Sequence, residues 1–169
     1  IEVIWMFPDM RRKKQQLGQE ETEQILLRGT SGVLSVYGPE GYPYGVPLSY
    51  VYRNGKLYFH CAKKGTKLSC IEKNGKASFT VIDLDHVVPE EYTSYFRSVM
   101  AFGTVRILEE DAEKWSAMEA LGRKYYPGDT QEGLEQAIRR EWEPLVVLEM
   151  EITHMTGKEA IELVRDKQK

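Results

Sequence analysis

Alternating apolar and polar positions dominate the sequence between residues 32 and 108, which is the pattern of half-buried β-strands. In the segment 44–52, Val46, Leu48, Tyr50 and Tyr52 fall on one face of an extended chain. The following Asn54-Gly55 is typical of a two-residue hairpin turn, because such a turn needs positive φ at both positions. The pattern predicts strands over 32–37, 44–52, 56–61, 76–84, 93–108 (with a bulge at Gly103) and 145–152.

Helical spacing of apolar residues occurs in the other segments. The first helix carries Glu20, Glu21 and Glu23 near its start and ends at Gly29. The further helices predicted are a short one that begins after 63–67, and those over 111–126, 130–142 and 157–165. Strands joined mostly by hairpins and flanked by helices indicate a mainly β (α+β) fold, either a barrel or a sandwich.

The length and composition indicate one globular domain. The chain has 169 residues, of which 41% are hydrophobic and 29% charged. We expect this domain to cover 10–169, with 1–9 as an N-terminal extension that is disordered or foreign to the native protein. The net charge of −3 gives no reason to expect a nucleic-acid partner. No apolar run is long enough to span a bilayer. Two isolated cysteines and three scattered histidines predict no metal site, reduced thiols and a cytoplasmic location.

The segment 57–67 is the most informative part of the sequence, because a strand runs there through a short loop into a helix. The first N–H groups of a helix lack internal partners and attract anions. Gly65 permits close approach of the backbone, Thr66 offers a hydroxyl and Lys67 adds a positive charge. These residues are a candidate phosphate site. The alternative is an ordinary strand-to-helix loop with solvated lysines.

Arg97 is a second candidate for anion binding, since guanidinium groups bind phosphate oxygens in a bidentate manner. It alternates with Val99 and Ala101, and therefore points towards an apolar face, where it needs an anionic partner. From the sequence, a ligand and an ion pair with Asp83 or Asp85 are equally good partners.

Three other features permit a ligand but favour simpler explanations. Pro43 and Pro47 interrupt one strand and indicate an edge, whose free backbone groups could meet a flat heterocycle. A lone histidine such as His60 is more often structural than a proton donor. Cys61 is more easily explained as a small buried side chain than as a nucleophile, and Trp142 as a core residue than as a cover for a ring.

Several segments, taken in order, resemble the Nim-type 5-nitroimidazole-resistance proteins, a branch of the pyridoxamine 5′-phosphate oxidase-like superfamily. The resemblance extends over about residues 10–165, and it rests on the ordered set rather than on any one motif. These segments are Met10-Arg11-Arg12-Lys13-Lys14, Gly29-Thr30-Ser31-Gly32, residues 42–50, Phe59-His60-Cys61-Ala62 with Gly65-Thr66-Lys67, Tyr95-Phe96-Arg97-Ser98-Val99 with Phe102-Gly103, and the ending 154–160.

The resemblance implies a split β-barrel of the FMN-binding type, assembled as a homodimer with the flavin at the interface. FMN is the expected cofactor, with FAD as an alternative. His60 lies where that branch carries its proposed active-site histidine, which makes it the candidate catalytic residue. The residues that the resemblance places at the cofactor are Val46, Pro47, Leu48, Ser49, Tyr50, His60, Cys61, Ala62, Thr66, Lys67, Arg97 and Ser98.

The function expected from the resemblance is a flavin-dependent oxidoreductase that acts on nitroaromatic or other electron-poor small molecules. The set of residues that clamps pyridoxamine phosphate in the true oxidase is not recognisable, and vitamin B6 oxidation is therefore not expected. One alternative is a protein that binds or sequesters flavin without turnover. Another is a haem-binding split barrel, with His60, His86 or His154 as the axial ligand.

Overall fold

The structure is a computed structural model that describes residues 7–169. Predictions that fall on 1–6, the greater part of the expected extension, lie outside the described residues. Seven strands form one antiparallel sheet in the order β2-β1-β5-β6-β7-β4-β3. The strands are β1 (Ser31–Tyr37), β2 (Pro43–Ser49), β3 (Val51–Arg53), β4 (Lys56–Ala62), β5 (Lys76–Val88), β6 (Thr93–Ile107) and β7 (Leu145–Glu159). The helices are α1 (Gln19–Arg28), α2 (Thr66–Lys73), α3 (Asp111–Tyr125), α4 (Gln131–Glu141) and α5 (Ile161–Asp166).

The sheet curls round its main core. Because side chains alternate along each strand, one set points into the curl, including Leu34, Phe59, Phe79, Val99 and Leu148, all fully buried. Helix α1 packs against the sheet near Tyr50 and Val81, whereas α2 packs against β1 and β6 at the opposite end. This arrangement confirms the predicted mainly β fold with flanking helices. The barrel is not closed, because no hydrogen-bonded ladder among the described residues joins β2 to β3 or β4.

The outer face of the sheet is covered over only part of its area. Helices α3 and α4 form a second core with β3, β4 and the first part of β7, centred on Tyr58, Met118, Leu134 and Val147. Trp142 packs against this second core, which agrees with its prediction as a core residue. The outer faces of β1, β5 and β6 carry exposed Val33, Ile82 and Met100 instead, and no described helix covers them.

Two glycines stand where the backbone requires them. Gly55 and its neighbour Asn54 both have positive φ (76° and 51°), as the predicted hairpin turn between β3 and β4 demands. At Gly103 the pairing of β6 with β7 shifts by one residue, so an irregularity is present where it was predicted, but the extra residue of the bulge is Thr153 on β7. A Cβ atom at Gly103 would lie 1.9 Å from the Glu151 carbonyl oxygen, and any side chain is therefore excluded there.

The structure corrects three of the predicted elements. The closing helix over 157–165 is wrong in its first part, because β7 continues to Glu159 and α5 covers only Ile161–Asp166. Gly157 pairs with Val99 in the sheet, and its missing Cβ leaves room for Thr22 and Leu17. The single strand over 44–52 is divided at Tyr50 into β2 and β3, which pair with different neighbours. Strand β5 extends four residues beyond 84, since it forms a long hairpin with β6.

Part of the expected N-terminal extension is packed. Phe7 stacks on the His154 ring at 4.3 Å and contacts Phe102 at 5.1 Å between ring centroids. Further along, buried Gln15 donates a hydrogen bond to the Glu159 carbonyl (3.0 Å), which holds the segment before α1 against the end of β7. None of the described helices is long and apolar enough to cross a membrane.

Candidate functional site

The candidate site is a split between two strand edges. Strand β2 pairs with β1 on one side only, and β3 pairs only with residues 56–58 of β4. Residues 59–62 of β4 therefore have no ladder partner on that side in the described part of the chain. The curl of the sheet brings Cα atoms of β2 and β4 within 8 Å of each other. Two sets of predicted cofactor residues, on β2 and β4, thus face each other across one gap.

The prolines determine which groups of β2 face the split. Gly38 N–H donates to the Tyr42 carbonyl (2.8 Å) at the start of the β1–β2 hairpin, and even-numbered residues of β2 therefore bond to β1. The backbone groups of the odd-numbered residues Pro43, Gly45, Pro47 and Ser49 point away from β1. A proline fits only at such a position, because it has no N–H to donate to the neighbouring strand.

This register divides the predicted β2 residues into two kinds. Pro47 and Ser49 present backbone groups at the free edge. The backbone groups of Val46 and Leu48 pair with β1, and their side chains pack against the main core. Val46 and Leu48, which the resemblance also places at the cofactor, therefore have no backbone group free to meet a ring.

Tyr50 supports the site from behind. Its ring is fully buried, and its hydroxyl donates to the Leu26 carbonyl (2.8 Å) in α1. Its N–H donates to the Tyr125 hydroxyl (2.9 Å), which also lies 3.1 Å from the Tyr50 carbonyl. Because these groups already have partners within the chain, Tyr50 holds the β2–β3 corner and offers no free backbone group to a cofactor.

At the end of β4, alternation separates the three predicted residues. His60 is exposed and lies on the same face as Tyr58, towards α3, whereas Cys61 packs against the main core. Burial raises the pKa of the Cys61 thiol, and the nearby Lys67 ammonium opposes this only in part. Cys61 is therefore a protonated packing residue rather than a nucleophile. A planar ring at this strand end can meet the side chains of His60 and Ala62, or that of Cys61, but not all three.

The start of α2 has the properties of an anion site. The first helical hydrogen bonds run from Leu68 and Ser69 N–H to the Gly65 carbonyl, at 3.1 and 3.4 Å. The amides of Thr66 and Lys67 precede those bonds, and the N-cap residue, Gly65, has no side chain that could occupy them. Gly65 has a φ of 147°, and no atom lies within 4 Å of the position its Cβ would take. An anion can therefore approach the backbone closely.

The lysines around this helix start differ in their partners. Lys63 forms an ion pair with Glu143 (3.4 Å), whereas no carboxylate within residues 7–169 pairs with Lys67. Lys67 thus remains available to a ligand, and the residues present fit a phosphate group.

Arg97 and Ser98 are not part of this cluster within one chain. Arg97 contacts Asp83 (3.3 Å) and Glu159 (3.4 Å), and the ion pair with Asp83 anticipated from the sequence is present. His60 pairs with Val147, which accepts a hydrogen bond from Leu108 N–H just beyond the far end of β6. Arg97 and Ile107 are ten residues apart on β6, or roughly 33 Å along an extended strand. One flavin cannot contact both regions of the same chain.

Two supporting residues were not found from the sequence. Lys124 donates to the Gly29 carbonyl and lies 4.2 Å from the Tyr50 ring centroid, and burial lowers its pKa. Its neighbour Tyr125 holds the Tyr50 backbone, as described above. Both lie at the end of α3, where the sequence shows only an amphipathic helix. No local signal indicated that they reach across to the β2–β3 corner.

Another groove of the described surface lies elsewhere. It has a volume of about 750 Å³ on the outer face of the sheet, with Tyr37, Tyr42, Lys76 and Phe102 among its lining residues. None of the predicted cofactor residues lines it. We place the candidate site at the split because the free backbone edges and the unpaired cation lie there. Within residues 7–169, no group of three or more His, Cys, Asp or Glu is placed to hold a metal ion.

Comparison with known proteins agrees with this geometry. The family model described as pyridoxamine 5′-phosphate oxidase matches residues 18–159, which include the split, α2 and most of the sheet. The chain belongs to this family. No curated protein matches the chain.

Three solved structures are among those similar to this member of the family. A protein of Bacteroides thetaiotaomicron assigned to 5-nitroimidazole antibiotic resistance is 25% identical, with a TM-score of 0.70 over 85% of this chain and 86% of that one. An FAD-binding protein of Mesorhizobium loti is 22% identical (TM-score 0.60, 86% and 97% covered). An FAD- and haem-binding protein of Mycobacterium smegmatis is 20% identical (TM-score 0.68, 87% and 73% covered). The last two establish likeness of fold alone.

Proposed function

We propose that the protein is an FMN-dependent oxidoreductase that acts on nitroaromatic compounds of the 5-nitroimidazole kind or on other electron-poor small molecules. One observation carries the proposal: two unpaired strand edges face each other, and an anion site with an unpaired lysine opens directly beside them. A flat heterocycle with edge donors and acceptors and a phosphate tail is complementary to this arrangement. Likeness to the Bacteroides thetaiotaomicron protein supports the choice of substrate class.

Each part of the site has a role in the proposal. The Thr66 and Lys67 amides, the Thr66 hydroxyl and the Lys67 ammonium bind the phosphate of FMN. The free edge groups of Pro47 and Ser49 meet the ring, and exposed His60 holds or donates a proton at the substrate. When bound, the flavin supplies the electron transfer. FAD is the alternative cofactor.

The proposal includes a homodimer, because Arg97 and Ser98 are too far from the split of their own chain. A second copy can bring its Arg97 and Ser98 to the first copy's split, and a two-fold arrangement then makes two equal sites. The uncovered outer face of β1, β5 and β6, with Val33, Ile82 and Met100, is the surface we assign to this contact.

The proposed function is tested by the visible spectrum of the purified protein, with the released cofactor compared with FMN and FAD standards. The reaction is then followed with NADH or NADPH and a 5-nitroimidazole. A flavin spectrum that bleaches with the nicotinamide donor and recovers as the nitro compound is consumed is the expected result. Bound flavin without turnover would instead establish a flavin-sequestering protein, and a Soret band would establish haem binding.

A further inference from the structure

The end of helix α3 lies where the β1–β2 ladder stops. The last pair of that ladder is Ser31↔Ser49. Even-numbered residues of β2 bond to β1, and the next bonded pair would therefore join Tyr50 to Thr30. The Tyr125 hydroxyl lies between these two residues instead, because it accepts a hydrogen bond from Tyr50 N–H (2.9 Å) and donates one to the Thr30 carbonyl. A side chain thus takes the place of a bond between strands, and β2 ends there.

This contact fixes the direction of a backbone group in the split. A peptide unit is planar and trans, so the Tyr50 N–H and the Ser49 carbonyl lie in one rigid plane and point in opposite directions. Tyr125 holds the N–H on the side of β1. The Ser49 carbonyl therefore points to the free edge of β2, which faces the split. The proposed function places this acceptor at the flavin ring.

Helix α3 also contacts the opposite edge of the split. Ser116 accepts a hydrogen bond from Arg53 of β3 (3.1 Å), and Met118 packs with Tyr58 of β4 in the second core. Ser116 and Tyr125 lie about 14 Å apart along the helix axis, since each residue adds about 1.5 Å. One rigid element thus holds the end of β2 and the strands β3 and β4 at a fixed separation.

The hydroxyl, rather than the ring, is what the chain uses at Tyr125. The side chain is 44% exposed, which is unlike a core residue, and yet its oxygen contacts backbone groups from two separate segments. The next residue, Tyr126, is 63% exposed, and its hydroxyl makes no hydrogen bond among the described residues. Two neighbouring exposed tyrosines therefore differ in this one respect.

We propose that Tyr125 is a positioning residue for the flavin ring. Through the peptide unit that it holds, it directs the Ser49 carbonyl towards a ring N–H of the isoalloxazine. The inference rests on the proposed function and adds to it an element, α3, that contains none of the predicted cofactor residues. Its effect is confined to the ring, because the hydrogen bonds of the Tyr125 hydroxyl all end on Thr30 and Tyr50 and not on the phosphate site at α2.

The first test is titration of FMN and riboflavin into the apo forms of wild type, Tyr125→Phe and Tyr126→Phe. Both ligands carry the ring, so both affinities should fall in Tyr125→Phe by the same factor, roughly three- to tenfold, as expected for a neutral hydrogen bond. Tyr126→Phe is the matched control and should bind as wild type does. Unchanged affinities in Tyr125→Phe would overturn the positioning role alone. A wild type that binds neither ligand would overturn the proposed function, and the positioning role with it.

The second test separates the ring from the phosphate and from folding. Lys67→Ala should weaken FMN only, and in the double variant the two factors should multiply for FMN, because independent sites act additively in free energy. Riboflavin should show the Tyr125→Phe factor alone. All titrations are made well below the lowest melting temperature, where a residue that only stabilised the fold would leave both affinities unchanged. A loss confined to FMN in Tyr125→Phe would place Tyr125 at the phosphate and overturn its assignment to the ring.

Discussion

Lys67 combines a charge without an ion-pair partner and a position at the start of a helix whose first amides are free. Neither feature is sufficient alone, since lysines are usually solvated and helix starts are common. Together with the open backbone at Gly65, they make Lys67 the residue whose removal reports most directly on a bound phosphate.

Substitution of Lys67 by Ala should weaken FMN binding by roughly ten- to a hundredfold. A charge-assisted hydrogen bond contributes ~1.5–3 kcal/mol, and ~1.4 kcal/mol corresponds to a factor of ten. Titration of FMN and riboflavin into the apoprotein measures the effect. Riboflavin lacks the phosphate and is the control, because its affinity should change little. Equal FMN affinity in both proteins would place the phosphate elsewhere, with Arg97 as the next candidate.

His60→Ala should keep bound flavin and lose reduction of the nitro compound. The His60 side chain is exposed and makes no hydrogen bond among the described residues, so its loss should leave the fold intact. Flavin content, melting temperature and the rate of nitro reduction are measured together. His86→Ala is the control, since that histidine lies on β5, paired with Tyr95, and not among the residues predicted at the cofactor. Normal reduction by His60→Ala would remove it from the chemistry.

At the scale of elements, two close approaches at glycines hold β7 in place. The bulge at Thr153, opposite Gly103, lets β6 and β7 stay paired over their length, and Gly157 lets the last part of β7 lie against Thr22 and Leu17. These close approaches explain why β7 continues where a helix was predicted. Strand β7 in turn carries Glu159, which binds Arg97.

Gly103→Ala should therefore destabilise the protein by ~1–3 kcal/mol or more, as overpacking in a rigid region does. The new methyl group meets a backbone carbonyl oxygen, which cannot move aside as a flexible side chain would. Urea unfolding measures the change. Gly128→Ala is the control, because the nearest atom to its added Cβ lies at 3.8 Å, and its effect should stay within about 0.5 kcal/mol. Equal stabilities would show that the bulge adapts.

A chain of charges joins α1, β5, β6 and β7. Asp83 binds Arg28 (2.7 Å) and Arg97, and Arg97 reaches Glu159. The hydrogen bond from Arg28 lowers the pKa of Asp83, against the effect of burial and with help from Arg97. Because the folded-state pKa is below the unfolded value near 3.8, this carboxylate stabilises the fold above about pH 4. That stability is lost as the pH falls through the folded-state pKa.

Asp83→Asn should accordingly be less stable than wild type at pH 7, and the difference should shrink below pH 4. Urea unfolding at several pH values between 3 and 7 measures both curves. Glu90→Gln, at an exposed turn, is the control and should follow wild type throughout. A difference that stays constant down to pH 3 would mean that Asp83 acts through packing rather than through charge.

At the scale of the whole molecule, the proposed function makes one copy half of a functional unit. The predicted cofactor residues lie in two regions of the sheet, and the apolar outer face is left open between them. Light scattering should therefore give a dimer at micromolar concentration, since a standard interface buries about 1,600 Å² in total. Met100→Asp, on the outer face, should shift the protein towards monomer and release flavin. A monomeric wild type with full flavin content would contradict the shared site.

The local features of this protein follow from its sequence because they depend on neighbours along the chain. Alternation located the strands, Asn54-Gly55 located the hairpin, and Gly65-Thr66-Lys67 located the start of α2. The ordered motifs indicated the family, which the match over residues 18–159 confirmed.

Contacts between distant segments were decided only by the tertiary structure. The break between β2 and β3 at Tyr50 depends on hydrogen bonds with Leu26 and Tyr125. The extension of β7 depends on the contacts of Gly157. The ion-pair partners of Arg97 come from β5 and β7. The family resemblance also assigned 46–50 and 60–62 to one site as continuous runs. The register of the sheet then separated the residues that face the split from those that face the core, because successive residues of a strand point to opposite sides and a sequence does not state which side lies inside.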